Sequence, residues 1–120
     1  MKNLEQVRAA NALTAARSGG FAGKNRGEVV KKVPTMIREN GILGALAFAV
    51  ERNDRNQLKN EGHYEVFKAI VVHLGKDKDP DAFLDRLTKT DAAALRADTT
   101  EALAYLAYLR RFADKEGRKS

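Results

Sequence analysis

Nine consecutive residues, Ile42 to Val50 (ILGALAFAV), carry no polar side chain. A bilayer-spanning helix needs about 20 predominantly apolar residues, and no apolar run in this chain reaches about 18. The segment therefore belongs inside a protein core, as a helix buried on most sides. The rest of the chain has to supply its surroundings. With 120 residues there is enough chain for one such core and too little for a second, which predicts a single helical domain over residues 1–120.

The periodicity on both sides of this run is helical. Leu4, Val7, Ala10 and Leu13 recur on one stripe of a first helix, about residues 2–17, with Ala9, Ala12 and Ala16 small enough for close helix packing. Ser18 to Gly27 (SGGFAGKNRG) holds four glycines and reads as a loop. Val29, Val30, Val33, Met36 and Ile37 form the next stripe. Pro34 lies inside it and is expected to kink that helix, and Asn40-Gly41 is expected to stop it. After the apolar run comes a polar stretch, Glu51 to Glu61. Tyr64, Phe67, Ile70, Val71 and Leu74 mark a further helix, stopped at Gly75. Asp79-Pro80 pairs an N-cap with proline at the first helical position, opening a short helix through Phe83, Leu84 and Leu87. Thr90 or Asp91 caps the last helix, which runs to about Glu116, roughly 40 Å at 1.5 Å per residue. No segment alternates with period two. The prediction is an all-α fold: a compact bundle of about six helices with a long C-terminal helix. Its core is expected to hold Val33, Ile37, Leu43, Leu46, Phe48, Phe67, Ile70, Leu103 and Leu106.

Charge supplies the first functional clue. Twenty-two Lys and Arg oppose sixteen Asp and Glu, a formal net charge of +6. Residues 61–120 hold eleven of each sign, so the whole excess sits in residues 1–60. Arg17, Lys24, Arg26, Lys31, Lys32 and Arg38 face only Glu28 within that span. Concentrated positive charge suits a polyanion, because neutralised phosphates release condensed counterions. The plainer reading is a solvated face that keeps the protein soluble. The chain has no cysteine, which excludes disulfides, thiolate catalysis and cysteine-ligated metal sites and fits a cytoplasmic setting. The opening residues lack the apolar core of a signal peptide, so secretion is not expected.

No catalytic constellation is visible. Ser18 to Asn25 resembles a phosphate-binding loop, but Gly19 and Gly23 enclose three residues where the motif needs four, and Asn25 stands where a hydroxyl is required. His63 and His73, the two histidines, are spaced ten apart on different helix faces with no carboxylate cluster beside them. His73 reads as an ordinary helix-face residue. Asp77, Asp79, Asp81 and Asp85 lack the glycine and the final Glu of a calcium loop. No nucleophile elbow occurs. Neither a metal nor another cofactor is expected.

The last helix carries two apolar stripes: Leu95, Ala102, Leu103, Leu106, Leu109 and Ala113, and beside them Tyr105, Tyr108 and Phe112. Phe112 reads as core. Tyr105 and Tyr108, next to Arg110 and Arg111, suit a wet protein interface or base stacking. A small bundle is not expected to bury both stripes, so one is assigned to a partner. Two blocks here resemble a known family. One runs from Lys31 to Phe48 (KKVPTMIRENGILGALAF); the other comprises Leu95-Arg96, Thr99, Glu101-Ala102-Leu103, Leu106 and Leu109 to Ala113. Their order, spacing and total length are similar to the small all-helical subunit of the type III-B (Cmr) CRISPR effector complex. The family pattern often has an aromatic residue where Leu95 stands and tryptophan where Tyr108 stands.

The resemblance implies a non-catalytic subunit in antiviral defence. Its copies stack along the guide–target path, beside backbone subunits that bind CRISPR RNA and a large polymerase-like subunit. Guide–target pairing then reads sequence, and the protein need only contact the CRISPR RNA and target RNA backbone. The expected RNA-binding residues are Arg17, Lys24, Arg26, Lys31, Lys32 and Arg38, with Arg110 and Arg111 added, and the expected interface is at Tyr105 and Tyr108. No membrane partner is expected. The alternative is a stand-alone basic helical nucleic-acid-binding regulator. It is disfavoured because the tight Asn40-Gly41 junction leads into ILGALAFAV, which cannot enter a DNA groove.

Overall fold

The computed structural model describes residues 2–18, 21 and 24–118, with side chains for 2–18, 21 and 27–114. Helix α1, Leu4–Arg17, starts where Asn3 and Gln6 cap each other: the Gln6 N–H donates to Asn3 Oδ1 and the Asn3 N–H to Gln6 Oε1, both at 2.8 Å. It buries Ala12 and Ala16, the small residues that bring it close to its neighbour. Helix α2 spans Lys24–Ala49, so residues 24–27 are helical, whereas the glycine spacing predicts a loop through Gly27. Residues 19, 20, 22 and 23, and with them the phosphate-loop comparison, lie outside the described residues.

The two helices expected on either side of Asn40-Gly41 form this one element, so the described residues form five helices rather than about six. Its dihedrals stay helical through Pro34, which is buried, and leave the helical region at Gly41. There φ is 79° and ψ 159°, a conformation essentially reserved for glycine. The expected stop at Asn40-Gly41 is thus a break, after which Ile42, Ala45, Leu46 and Ala49 turn into the core. The polar stretch that follows folds into a tight turn. Asn53 Oδ1 accepts from the N–H groups of Arg55 and Gln57, and Arg52 and Leu58 form an isolated antiparallel bridge.

Helix α3, Glu61–Leu74, ends at Gly75, whose left-handed φ of 69° lets its N–H reach the Val71 carbonyl at 2.9 Å. Helix α4, Pro80–Lys89, is capped by Asp79, which accepts from the Ala82 N–H at 2.8 Å. Helix α5, Ala92–Arg118, is capped by Asp91 through the Ala94 N–H at 2.8 Å. Its 27 residues make it the longest helix of the described chain, about 40 Å at 1.5 Å per residue.

Packing centres on α5, which touches α1, α2 and α3, while α4 lies against α2 and α3. The molecule measures 41 × 40 × 25 Å, its short dimension about two helix diameters. Val33, Ile37, Leu46, Phe67, Ile70 and Leu106 are buried as expected. Leu43 and Leu103 are half-buried against the core, and Phe48 sits at its rim with its ring edge-on to His63 at 4.9 Å. Both stripes of α5 are covered, contrary to expectation. Tyr105 is 1% exposed and belongs to the core, and Tyr108 and Phe112 pack against it. With neighbours on three sides, α5 has room to bury both. Tyr105 therefore cannot serve as an exposed interface residue.

Leu46 is fully enclosed, so Leu46→Ala is expected to cost about 2–5 kcal/mol in chemical denaturation, and Leu103→Ala, at the half-buried edge, less. Equal losses at the two sites would contradict this placement of the core.

Candidate nucleic-acid interface

The basic residues divide by what holds them. In the second half of the chain many are tied down: Lys76 and Arg86 to Asp98, Arg86 also to Asp77, and Lys89 to Asp85. Asp98 is 3% exposed and buried, and the Asp77 side chain beside it is nearly as enclosed. Burial alone would raise the pKa of Asp98, but hydrogen bonds from Lys76 and Arg86 outweigh that and hold it below the usual value. Arg52 grips Asp81 with two nitrogens at 2.9 and 3.0 Å, and Asp81 also accepts from the Tyr64 hydroxyl at 2.9 Å. Arg52 and Arg86 are structural cations, whereas Lys89 and Asp85 form an exposed pair within one helix.

Arg17, Lys31, Lys32, Arg38, Arg110 and Arg111 are different. All six are exposed, and none forms an ion pair among the described residues. The side chains of Lys24 and Arg26 lie outside the described residues. Lys31 lines a cleft of about 470 Å³ with Ala107, Arg110, Arg111 and Asp114, where α2 passes α5. The two basic groups, read separately in the sequence, thus meet across one seam. Arg38, seven residues beyond Lys31, lies on the same stripe of α2. Lys32 is turned by about 100° from Lys31 and faces α3. There burial first, and the Lys32 charge second, hold His63 below its ordinary pKa. Arg17 lies in the last turn of α1. The cleft unites Lys31, Arg110 and Arg111; Arg38 extends its α2 side, and Lys32 faces α3.

His73, expected on a helix face, is instead enclosed, its side chain 3% exposed. The Asn11 amide nitrogen lies 2.9 Å from Nδ1, and Nε2 lies 2.8 Å from Glu101 Oε2. Asn11 donates to Nδ1, so the proton on Nε2 is donated to Glu101. Arg8 holds the same carboxylate through two bonds of 2.8 and 2.7 Å. Tyr105 stacks on the imidazole with ring centroids 4.5 Å apart. This junction ties α1, α3 and α5, and every member has a structural partner. Sequence spacing alone does not reveal it, because the carboxylate and the arginine come from opposite ends of the chain. Among the described residues no group of His, Asp and Glu is arranged to hold a metal, and no helix is long and apolar enough to cross a membrane.

The comparisons agree with the fold. A family model described as CRISPR-associated protein (Cas_Cmr5) matches residues 4–116. The chain is also similar to a crystal structure of a CRISPR-associated Cmr5 family protein from Thermus thermophilus, at 26% identity and a TM-score of 0.73. That likeness covers 93% of this chain and 96% of the other. No curated protein matches by sequence.

The junction also sets a pH dependence. The Arg8 hydrogen bond holds Glu101 below its ordinary carboxylate value of 4.5, against the opposing effect of burial and with help from His73. A carboxylate whose folded pKa is depressed contributes stability above its unfolded pKa and loses it as pH falls through the folded value. Glu101→Gln is expected to lower the melting temperature at neutral pH and to flatten its decline below about pH 4.5. An acid limb identical to wild type would contradict this role.

Proposed function

The chain belongs to the Cmr5 family of CRISPR-associated proteins, and on that premise we propose that it is the non-catalytic small subunit of a type III-B CRISPR effector complex acting in antiviral defence in the cytoplasm. Its work is assembly. It stacks with other copies along the guide–target path, beside the backbone RNA-binding subunits and the large polymerase-like subunit, and contacts CRISPR RNA and target RNA through their phosphates.

The observation that carries this reading is the α2–α5 cleft. Lys31, Arg110 and Arg111 converge there from two helices, exposed and without ion-pair partners among the described residues. Cations held internally would have to break a bond to meet a phosphate; these do not. A surface of this kind binds through charge and shape, which suffices where base pairing supplies the sequence information. Lys32, Arg38 and Arg17 are placed as outlying contacts, with Lys24 and Arg26 assigned by sequence alone. Tyr108 remains an interface candidate at the α1–α5 seam. It is half-buried, and its hydroxyl donates to Glu5 Oε1 at 2.8 Å. A stand-alone DNA-binding regulator is disfavoured: the segment after Gly41 buries Ile42, Ala45, Leu46 and Ala49 and offers no recognition helix.

Replacing Lys31 and Arg110 with Gln together is expected to weaken the assembled complex's hold on target RNA. It should also flatten the dependence of log affinity on log salt by about 1.4, at about 0.7 for each phosphate that is no longer neutralised. The melting temperature of the subunit should not change, because neither side chain is packed. An unchanged salt slope would assign the cleft to solubility.

A further inference from the structure

The α2–α5 seam continues beyond the cleft at Lys31. The two helices run antiparallel along it, since Lys31 lies beside Ala107 and Asp114 while Asn40 and Leu43 lie beside Leu95 and Thr100. At that far end is a second cavity, of about 410 Å³, where Asn40 and Leu43 of α2 face Arg96, Thr99 and Thr100 of α5. Arg96 is exposed and forms no ion pair or hydrogen bond among the described residues. The acids nearest to it on α5 are already engaged, Asp98 by Lys76 and Arg86, and Glu101 by Arg8 and His73. The Asn40 side-chain amide and the Thr100 hydroxyl are also exposed and without partners among the described residues, whereas Thr99 donates to the Leu95 carbonyl at 2.7 Å. Spacing puts both cavities on one face of α5. Arg96, Thr100, Leu103, Ala107, Arg110 and Asp114 recur at intervals of four and three, the repeat of a single helix stripe. Between Arg96 and Arg110 this stripe carries no charge, and the two arginines stand about 21 Å apart along the axis at 1.5 Å per residue. On α2, Arg38 lies between Lys31 and Asn40.

We propose that the cavity at Arg96 is a second RNA-backbone site: its guanidinium binds a phosphate, the Asn40 amide and Thr100 hydroxyl bond adjacent phosphate or ribose oxygens, and one strand follows the seam from Lys31 to Arg96. The proposal rests on the assembly reading above and extends it to a residue that the charge count does not single out, because Arg96 belongs to the half of the chain whose charges balance. A linear polyanion fits this arrangement. Two cationic points on one groove, with uncharged residues between them, are met together only by a ligand that repeats its charge along its length. A single small anion reaches one cavity and leaves the other empty. Guanidinium, amide and hydroxyl donors hold phosphate and sugar oxygens without reading a base, which suffices where guide–target pairing supplies the sequence.

The test measures the affinity of the assembled complex for target RNA as a function of salt. It compares wild-type chain, Arg96→Gln, Arg96→Lys and the Lys31→Gln, Arg110→Gln double variant, each first checked for its melting temperature and its entry into the complex without target. Arg96→Gln alters only an exposed side chain and is expected to melt and assemble like wild type. It should flatten the dependence of log affinity on log salt by about 0.7, which weakens binding about fivefold at about 0.1 M salt. Two targets of unrelated sequence, each with its matching guide, should lose the same factor. Arg96→Lys keeps the charge and should keep the wild-type slope. A wild-type slope in Arg96→Gln beside a flattened one in the double variant would overturn this site and leave the assembly reading standing. An Arg96→Gln chain that loses affinity at an unchanged slope, melts lower or fails to enter the complex would also overturn it, because Arg96 would then hold protein and not RNA. Wild-type slopes in both variants would overturn the RNA contact of the assembly reading and this proposal together.

Discussion

The last helix has to bury apolar side chains over most of its circumference, and no single neighbour covers that arc. Ala102, Tyr105, Leu106, Leu109 and Ala113 are buried, with Leu95, Leu103, Tyr108 and Phe112 packed at their edges. Three helices are needed to enclose them, and α1, α2 and α3 each take one sector. Helices gathered around a common axis cannot also close completely on one another. Seams remain where α2 passes α5 and where α1 faces α3 across it. The surface assigned to function is the first of those seams, where Lys31, Arg110 and Arg111 are exposed beside Asp114.

Polar interactions then fix how the helices sit around the axis. Arg8, Asn11, His73 and Glu101 join α1, α3 and α5, and Asp98 gathers Lys76 and Arg86 from the α3–α4 region. Contacts of this sort contribute little net free energy, but breaking one leaves a buried charge uncompensated, so they specify geometry. They also explain where the basic excess goes. Arg86 and Lys76 are held by acidic partners in the second half, and the cations left without an ion pair among the described residues include Lys31, Lys32 and Arg38 of α2 and Arg110 and Arg111 near the end of α5.

Much of this is legible in the residues. Asp79-Pro80 and Gly75 mark helix ends through backbone chemistry that is local, and Asn40-Gly41 marks a real interruption for the same reason. Whether that interruption separates two helices or bends one depends on packing beyond it, which spacing does not encode. Tyr105 is misplaced by the sequence pattern because a stripe says which residues share a face, not how many neighbours meet it. The junction at His73 is invisible there because Arg8 and Glu101 are 93 residues apart. Arg17, Lys31, Lys32, Arg38, Arg110 and Arg111 are exposed, yet which of them share a cleft requires the fold. Lys31 and Lys32 are adjacent in sequence and point to different helices. The likeness carried by Lys31–Phe48 and Leu95–Ala113 leads to the family because those blocks frame the break and the central helix.

The central claim is that the α2–α5 cleft lies against the RNA backbone in the assembled complex. The most direct measurement is photo-cross-linking from position 107, an exposed alanine lining that cleft, with position 85 on the exposed face of α4 as the reference. With target RNA bound, a benzophenone side chain at position 107 should cross-link to RNA and one at position 85 should not. Cross-linking at position 85 with none at position 107 would contradict the account.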